Sequence, residues 1–313
     1  MRSGVIDISH RMNLNQLEYF VHTAEMGSLS KAAVVLNIAQ SALSRQIRLL
    51  ETDLGVTLLL RNGRGVVLTE AGKRLFDHSI AILQLVSRVR EDIDATRDEP
   101  VGRIVVGLPP TMGRILTLSL VEGFKRVLPK ARLAIVEGLS THLAEWVSTG
   151  RIDIGLLHNP ESHPSLEIIP VVQEQLVLVS PAQGRTVKNA TVNFRDLVKY
   201  PLIVPERAHA IRKLIETEAA MAGLKLPIAW EISSVRSILD MVRAGHGHAV
   251  LSRHAVMNEQ QYEDFVLRPL VKPKLTSTLC LVISAHKPVT PLTKHVIQLL
   301  RELITSRSGD EAD

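Results

Sequence analysis

Residues 40–68 constrain the fold more tightly than any other stretch. In QSALSRQIRLLETDL, leucine or isoleucine recurs at 43, 47, 50 and 54. At 3.6 residues per turn these positions fall within about 60° of arc, a buried helical stripe. Ser41, Ser44, Arg45 and Arg48 cluster on the opposite side, with Gln40 flanking them at the helix start. After Gly55 the chain reads VTLLLRNGRGVVLT, two short apolar runs around Asn62-Gly63. That dipeptide is a strong hairpin signal, here with Arg61 and Arg64 at the tip.

Upstream, Asn13 caps a helix with Gln16 in capping-box spacing, and Leu14, Leu17, Val21 and Ala24 mark one face. Gly27 breaks that helix. Ser30 is the expected next cap, with Leu29 stapled onto Val34, and the second helix ends near Leu36. A tight turn at Asn37–Ala39 leads into the third helix, the rhythm of a helix-turn-helix. For an isolated helix the polar side would read as a solvated face. Two preceding short helices and a following wing reverse that preference, towards a helix lying in a DNA major groove. There Arg45 and Arg48 read guanine edges, Gln40 reads adenine, and Ser41 and Ser44 contact bases or phosphate. Arg61 and Arg64 are placed for phosphates or the minor groove, and Lys31 for a phosphate. Ala39 leaves the third helix without a side-chain cap, an end that a DNA phosphate would partly satisfy.

Thr69 caps a long helix expected to run to about Arg97. Positions 75, 79, 82, 86, 89 and 93 are Leu, Ser, Ile, Val, Val and Ile, a coiled-coil seam interrupted by Ser79. Such a stripe takes either a second copy of itself or the chain's own C-terminal part, and a spacer between paired half-site readers favours the second copy. The acidic run EDIDATRDE then ends at Pro100 and Gly102, a linker boundary.

From Arg103, short apolar strands (RIVVGL, RLAIVEG, DIGLLH, QLVLVS, PLIVP, IAWEIS, HAVLS) alternate with helical stretches. This implies α/β units around parallel sheets. Ligands in such folds bind beyond the carboxyl ends of strands, near helix N-termini. That rule selects Thr111 and Met112 after GLPP, Ser140 after VEG, Pro205–His209 after PLIV and Ser233-Ser234 after WEI. Thr111 and Ser140 read equally well as helix caps, and Arg207 as a surface arginine against the helix dipole.

Composition narrows the function classes. The 37 Lys and Arg against 32 Asp and Glu leave +5, yet residues 1–99 hold twelve of each sign. An anionic partner is therefore recognised by arrangement of charge rather than by its sum. With ten aromatics, base stacking on an aromatic sheet is unsupported. The single cysteine, Cys280, rules out an internal disulfide and a multi-cysteine metal site, and the GHGH pair His246 and His248 lacks a third clustered ligand. GxSxG, GxxxxGK[ST] and HExxH are all absent, so enzyme chemistry has no foothold. No run reaches membrane-span length and the start carries no signal-peptide pattern. The expectation is a cytoplasmic protein with no membrane partner, no metal and no cofactor.

LNQLEYFVHTAEMGSLSKAAVVLNIAQSALSRQIRLLETDLGVTLLLRNGRGVVLTEAG closely resembles the DNA-binding segment of LysR-type transcriptional regulators. GLPPTMGRIL, VEGLSTHLAEWVSTGRIDIGLLHNP and AGHGHAVLS extend the likeness over roughly 13–305, towards the branch with the nitrogen assimilation control regulator. The resemblance implies an α+β multidomain chain. Its parts would be a winged helix-turn-helix (13–70), a dimerising linker helix (69–97), a hinge (98–102) and a two-lobed α/β effector domain (103–305) like a periplasmic binding protein. Lobe 1 would take about 103–174 and 281–305, lobe 2 about 175–280, and 306–313 would be a disordered tail. The family also implies promoter DNA, a dimer or tetramer that bends it, and RNA polymerase as a partner if the protein activates. Effector contacts are implied near the strand ends at His158 and His248 as well as at the first three of the junctions above. Together with Thr111, Met112, Ser140, Pro205, Arg207, His209 and Ser234, these suit a small organic anion as effector. Departures are Ser41 where proline is frequent, Leu59 or Leu60 where the wing often has phenylalanine, Ala39 where Ser or Thr often caps, and His248 where the family is usually apolar or aromatic.

Overall fold

A computed structural model describes residues 12–62, 65–94, 101–182, 190–257 and 262–309. These form two compact units, one N-terminal and one from the first strand after the linker onward.

In the N-terminal unit, α1 (Leu14–Met26) opens on the expected capping box. Asn13 Oδ1 accepts the Gln16 N–H at 2.9 Å, and Gln16 Oε1 accepts the Asn13 N–H at 3.1 Å. Gly27, at φ 58°, ends the helix in the left-handed region where glycine is unstrained. The cap of α2 (Leu29–Val35) is Ser28, which accepts the Lys31 N–H, and not the expected Ser30. The expected staple is absent too, since Leu29 is buried while Val34 is 80% exposed. Shifting the helix start by two residues turns Leu29 inward.

Asn37, at φ 52°, turns the chain into α3 (Gln40–Leu54), which has no side-chain cap hydrogen bond at Ala39. Leu43, Ile47 and Leu50 are buried against Phe20, Ala32 and Leu58, but the stripe stops there because Leu54 is 39% exposed. β1 (Leu59–Asn62) and β2 (Gly65–Leu68) form the hairpin, and Asn62 pairs with Gly65. Asn62 is thus strand rather than the first turn residue, and Gly63 and Arg64 lie outside the described residues. Two glycines set how closely the hairpin docks. A Cβ on Gly65 would fall 2.4 Å from Gly27 O, which accepts the Val66 N–H at 2.9 Å. A Cβ on Gly72 would fall 2.2 Å from Leu58 O.

Helix α4 (Glu70–Asp94) starts where the Thr69 hydroxyl accepts the Gly72 N–H at 2.9 Å. Leu75 packs on the helix-turn-helix core, and the fully buried Ser79 satisfies its hydroxyl on Leu75 O. Further along, Leu85 and Val89 are more than half exposed. The expected end near 97 and the hinge residues 98–100 lie outside the described residues.

The second unit has two lobes. The first holds β3 (Gly102–Leu108), α5 (Pro110–Val127), β4 (Ala131–Glu137), α6 (Ser140–Thr149) and β5 (Ile154–His158). β6 (Leu166–Pro181) then leads into the second, with β7 (Val192–Asn193), β8 (Leu202–Val204), α7 (Ala210–Met221) and β9 (Ile228–Glu231). α8 (Val235–Arg243), β10 (Ala249–Ser252), α9 (Arg253–Met257) and β11 (Phe265–Val271) complete the second lobe, and β12 (Thr276–Ser284) and α10 (Pro291–Gly309) return to the first. Each lobe is a sheet covered on both faces. In the first, α5 and α10 bury one face and α6 the other. In the second, α7 packs on one face and α8 and α9 on the other.

β3 pairs in parallel with β4 and β5, but β12 runs antiparallel to β5 and β6, and β10 and β11 antiparallel to β6. The sheet is therefore mixed, not parallel throughout, because β6 and β12 cross between lobes in opposite directions. β6 pairs with β12 up to Gln175 and with β10 from Leu176. The pairing partner of β6 thus changes between Gln175 and Leu176. The return crossing comes earlier than the expected 281, since Leu279 and Cys280 already pack in the first lobe. The helical end of α10 also covers 306–309, residues expected to be disordered; 310–313 lie outside the described residues.

Candidate functional site

Two surfaces carry functional chemistry. On the N-terminal unit, Gln40, Ser41, Arg45 and Arg48 are exposed on α3, and Lys31 is exposed on α2. Gln40 Oε1 accepts the Ser30 hydroxyl at 3.1 Å, which ties the start of α3 to α2. Ser44 departs from the expectation that it faces outward. It is 7% exposed, and its Oγ accepts Nη2 of Arg61 at 2.9 Å and Nη2 of Arg48 at 3.3 Å. One oxygen thus holds an arginine of the helix beside an arginine of the hairpin, a positioning role rather than a contact. Glu51 clamps the same junction. Its Oε1 accepts the N–H groups of Leu58 at 2.8 Å and Leu59 at 3.1 Å. Arg64 lies outside the described residues.

In the second unit a cavity of about 500 Å³ opens between the two lobes. Thr111, Met112, Ser140, His158, His209 and Ser234 line it, drawn from the N-terminal ends of α5, α6, α7 and α8 and from the end of β5. None of the four helices has an acidic residue in its first turn, so their positive ends face the cavity uncompensated from within the helix. At α5 that end is already served: a Cβ on Gly113 would fall 2.2 Å from Glu137 Oε1, so glycine lets this carboxylate lie against the turn. The Ser140 hydroxyl, at the start of α6, accepts the His158 N–H at 3.0 Å. Ser234 and His209 do cap their helices, accepting the Ser237 N–H at 3.4 Å and the Ile211 N–H at 3.3 Å.

Burial sets the protonation of the two histidines. It pushes His209 from the ordinary 6.5 down to about 4, with His158 adding to the effect, and it lowers His158 against the pull of Glu174. With Nδ1 of neutral His209 accepting from Ile211, its proton sits on Nε2. Glu174 of β6 shares the cavity. Burial pushes its carboxyl up, but the hydrogen bond and charge of His254, the charge of His158 and the Ser252 hydroxyl outweigh that and hold it low.

Three expected members lie elsewhere. Arg207 is exposed outside the cavity, and Pro205 is buried with its carbonyl accepting Arg212 Nη1 at 2.8 Å. His248 lies within the second lobe. Its Nδ1 is 2.8 Å from Ser180 Oγ, Tyr200 stacks edge-on to its ring, and Arg268 Nη2 also donates to Ser180 Oγ at 3.1 Å. Residue 248 leads into β10, and strand registry against β6 turns its side chain to Ser180 instead of the cleft. Glu174, His254, Ser252 and Arg236 line the cavity without having been expected there. Glu174 sits in the half of β6 that no strand pattern marked, broken as it is by Pro170.

Cys280 is buried in β12, and burial raises its thiol. Among the described residues no cluster of three or more His, Cys, Asp or Glu is placed to hold a metal ion, and no helix is long and apolar enough to cross a membrane.

Comparison with known proteins places both surfaces in one context. Residues 14–73 match the bacterial regulatory helix-turn-helix protein, lysR family, and residues 97–305 match the LysR substrate binding domain. The chain is 28% identical over 298 residues to the nitrogen assimilation regulatory protein nac of Klebsiella aerogenes, covering 95% of this chain and 97% of that one. It is equally 28% identical to the DNA-binding transcriptional dual regulator OxyR of Escherichia coli, with the same coverage. A full-length OxyR variant from Pseudomonas aeruginosa superposes with a TM-score of 0.71 at 25% identity, covering 94% of this chain and 95% of that one. CbnR complexed with its target DNA superposes at 0.69 and 23% identity, covering 93% and 100%.

Proposed function

The chain belongs to the LysR family of transcriptional regulators, and from that premise we propose that it answers to a small organic anion bound between the lobes. The family consists of DNA-binding regulators rather than enzymes; its members bind promoter DNA and small-molecule effectors and oligomerise. For this chain, Arg45, Arg48, Gln40 and Ser41 read base edges in the major groove, while Lys31, Arg61 and Arg64 hold the backbone. The exposed apolar positions of α4 pair with a second copy, two such dimers assemble a tetramer, and the tetramer bends its operator in the cytoplasm. If the outcome is activation, RNA polymerase is a further partner.

The observation that carries the effector reading is the convergence of helix N-termini from both lobes on one cavity. Ligand control requires an effector that binds one lobe arrangement better than another, and a ligand touching both lobes meets that condition. Thr111, Met112, Ser140 and His158 contribute from the first lobe, His209 and Ser234 from the second. Two measurements test this. Chromosomal footprinting with the purified protein is expected to show spaced half-sites, with affinity falling steeply as salt rises. A thermal-shift screen of carboxylates is expected to find compounds that both stabilise the protein and change the footprint. Stabilising compounds that leave the footprint unaltered would sink the control mechanism.

A further inference from the structure

Two histidines in the interlobe cavity have their ring protons placed by backbone N–H groups. His158 closes β5 of the first lobe. Behind it the Thr278 N–H donates to Asn159 Oδ1 at 2.7 Å. A backbone N–H only donates, so this contact fixes the amide's orientation and turns Nδ2 to Ser277 Oγ, 3.2 Å away. Ser277 is 1% exposed, and its Oγ has one further partner among the described residues, Nδ1 of His158 at 3.3 Å. The hydroxyl accepts from Asn159 and gives its own hydrogen to that nitrogen, the acceptor within its reach. His158, kept neutral by burial, therefore carries its proton on Nε2.

His209, the N-cap of α7 in the second lobe, is set in the same way, because its Nδ1 accepts the Ile211 N–H. Neither Nε2 has a hydrogen-bond partner among the described residues, and neither is sealed inside the protein. The rings are close enough for the charge of His158 to weigh on His209. The cavity thus receives one open N–H donor from each lobe. Its charged groups are of both signs, Arg114 and Arg236 against Glu137, Glu174 and Glu206, so the donors rather than the sum of charge define what fits.

We propose that His158 and His209 clamp one carboxylate of the effector between the lobes, one N–H to each oxygen, and that Asn159 and Ser277 are the positioning residues that hold His158 as a donor. The inference rests on the interlobe effector reading and deepens it. A carboxylate offers two acceptors and no hydrogen. Its primary amide offers one acceptor and sets its own N–H against the second imidazole N–H, leaving both unmet. Asn159 and Ser277 do not line this cavity, so they act on the ligand only through the ring they hold. Because each lobe supplies one donor, the group that is recognised also ties the lobes together.

The test uses the full-length protein. Magic-angle-spinning spectra of histidine-labelled, sedimented protein distinguish the two neutral tautomers at about pH 8, above the titration of an ordinary histidine. His158→Gln identifies the His158 signal, which is expected to show the proton on Nε2. Asn159→Asp is nearly isosteric and still accepts the Thr278 N–H, but its second oxygen takes the Ser277 hydrogen. Ser277 then accepts from His158, whose proton is expected to move to Nδ1. Calorimetry with short mono- and dicarboxylates, each paired with its primary amide, reads the consequence. At least one carboxylate is expected to bind the wild type about 10- to 100-fold more tightly than its amide, the worth of a hydrogen bond to a charged group. Asn159→Asp and Ser277→Ala are expected to erase that preference, and Ser277→Thr, which keeps the hydroxyl, to retain it. A merely structural role would weaken acid and amide alike. The wild-type spectrum and the wild-type pairs decide the matter even if no variant folds. A proton on Nδ1 in the wild type, an unmoved proton in Asn159→Asp, or amides bound as tightly as their carboxylates overturns the proposal. Carboxylates preferred equally by the wild type and both relay variants remove the relay and keep the interlobe anion, whereas no binding by any carboxylate removes both.

Discussion

Acidification should destabilise the effector-binding unit well before it titrates ordinary carboxylates, and His209 is the group that sets the window. Burial depresses its folded-state value from 6.5 to about 4. Between those two values the unfolded chain holds a proton that the folded chain refuses, so stability falls as pH is lowered. The stability is fully present above about 6.5 and its loss is complete below about 4. Integrated from about pH 7.5 to about pH 5.0, the linkage amounts to roughly 2 kcal/mol for this one side chain. His158, also lowered by burial, adds in the same direction. Both tryptophans, Trp146 and Trp230, lie in this unit, so urea titrations followed by fluorescence report it without the DNA-binding unit. The control variant is His209→Asn. Asparagine is among the best N-caps and keeps an acceptor for the Ile211 N–H, but it does not titrate. The wild type is expected to lose about 2 kcal/mol more than the variant over that pH range. Equal losses in the two proteins would refute the reasoning, because they would show that His209 takes up its proton as readily folded as unfolded.

Gly72→Ala should destabilise the N-terminal unit by about 1–3 kcal/mol despite alanine's better helix propensity, since the new Cβ meets Leu58 O at 2.2 Å. Thermal melts, read alongside retention on DNA, check it, and an unchanged melting temperature counts against the docking account. Arg45→Ala is expected to cost about 1–3 kcal/mol on the operator and relax specificity, whereas Arg61→Ala weakens all DNA alike and lowers the salt slope by about one. Equal loss on operator and random DNA for both variants would cancel that division. Ala39→Ser, supplying the cap that α3 lacks, should stabilise the free protein by roughly 0.5–2 kcal/mol and weaken DNA binding. An undiminished affinity would show that no phosphate serves that helix end.

Local physics wrote much of this protein legibly. The capping box at Asn13, the glycine that ends α1, the stripe of α3 and the paired runs of the hairpin each depend on neighbours a few residues away. Their periodicity and turn chemistry therefore sufficed to read the helix-turn-helix and wing. The α/β character of the second unit was equally readable, because buried strands announce themselves as apolar runs whatever they pair with. Tertiary structure decided which polar side chains share a space. Ser44 looked outward on a helical wheel, yet the hairpin folds over it and makes it the acceptor for Arg48 and Arg61. His248 belonged to the pattern of strand ends, yet registry against β6 delivers it to Ser180. Glu174 carried no local signal at all. It reaches the cavity only because a long strand passes from one lobe to the other, paired with a segment about a hundred residues further along the chain. Sequence periodicity records which face of an element is buried; what lies across from that face is fixed by long-range pairing, and the ligand site is made of those meetings.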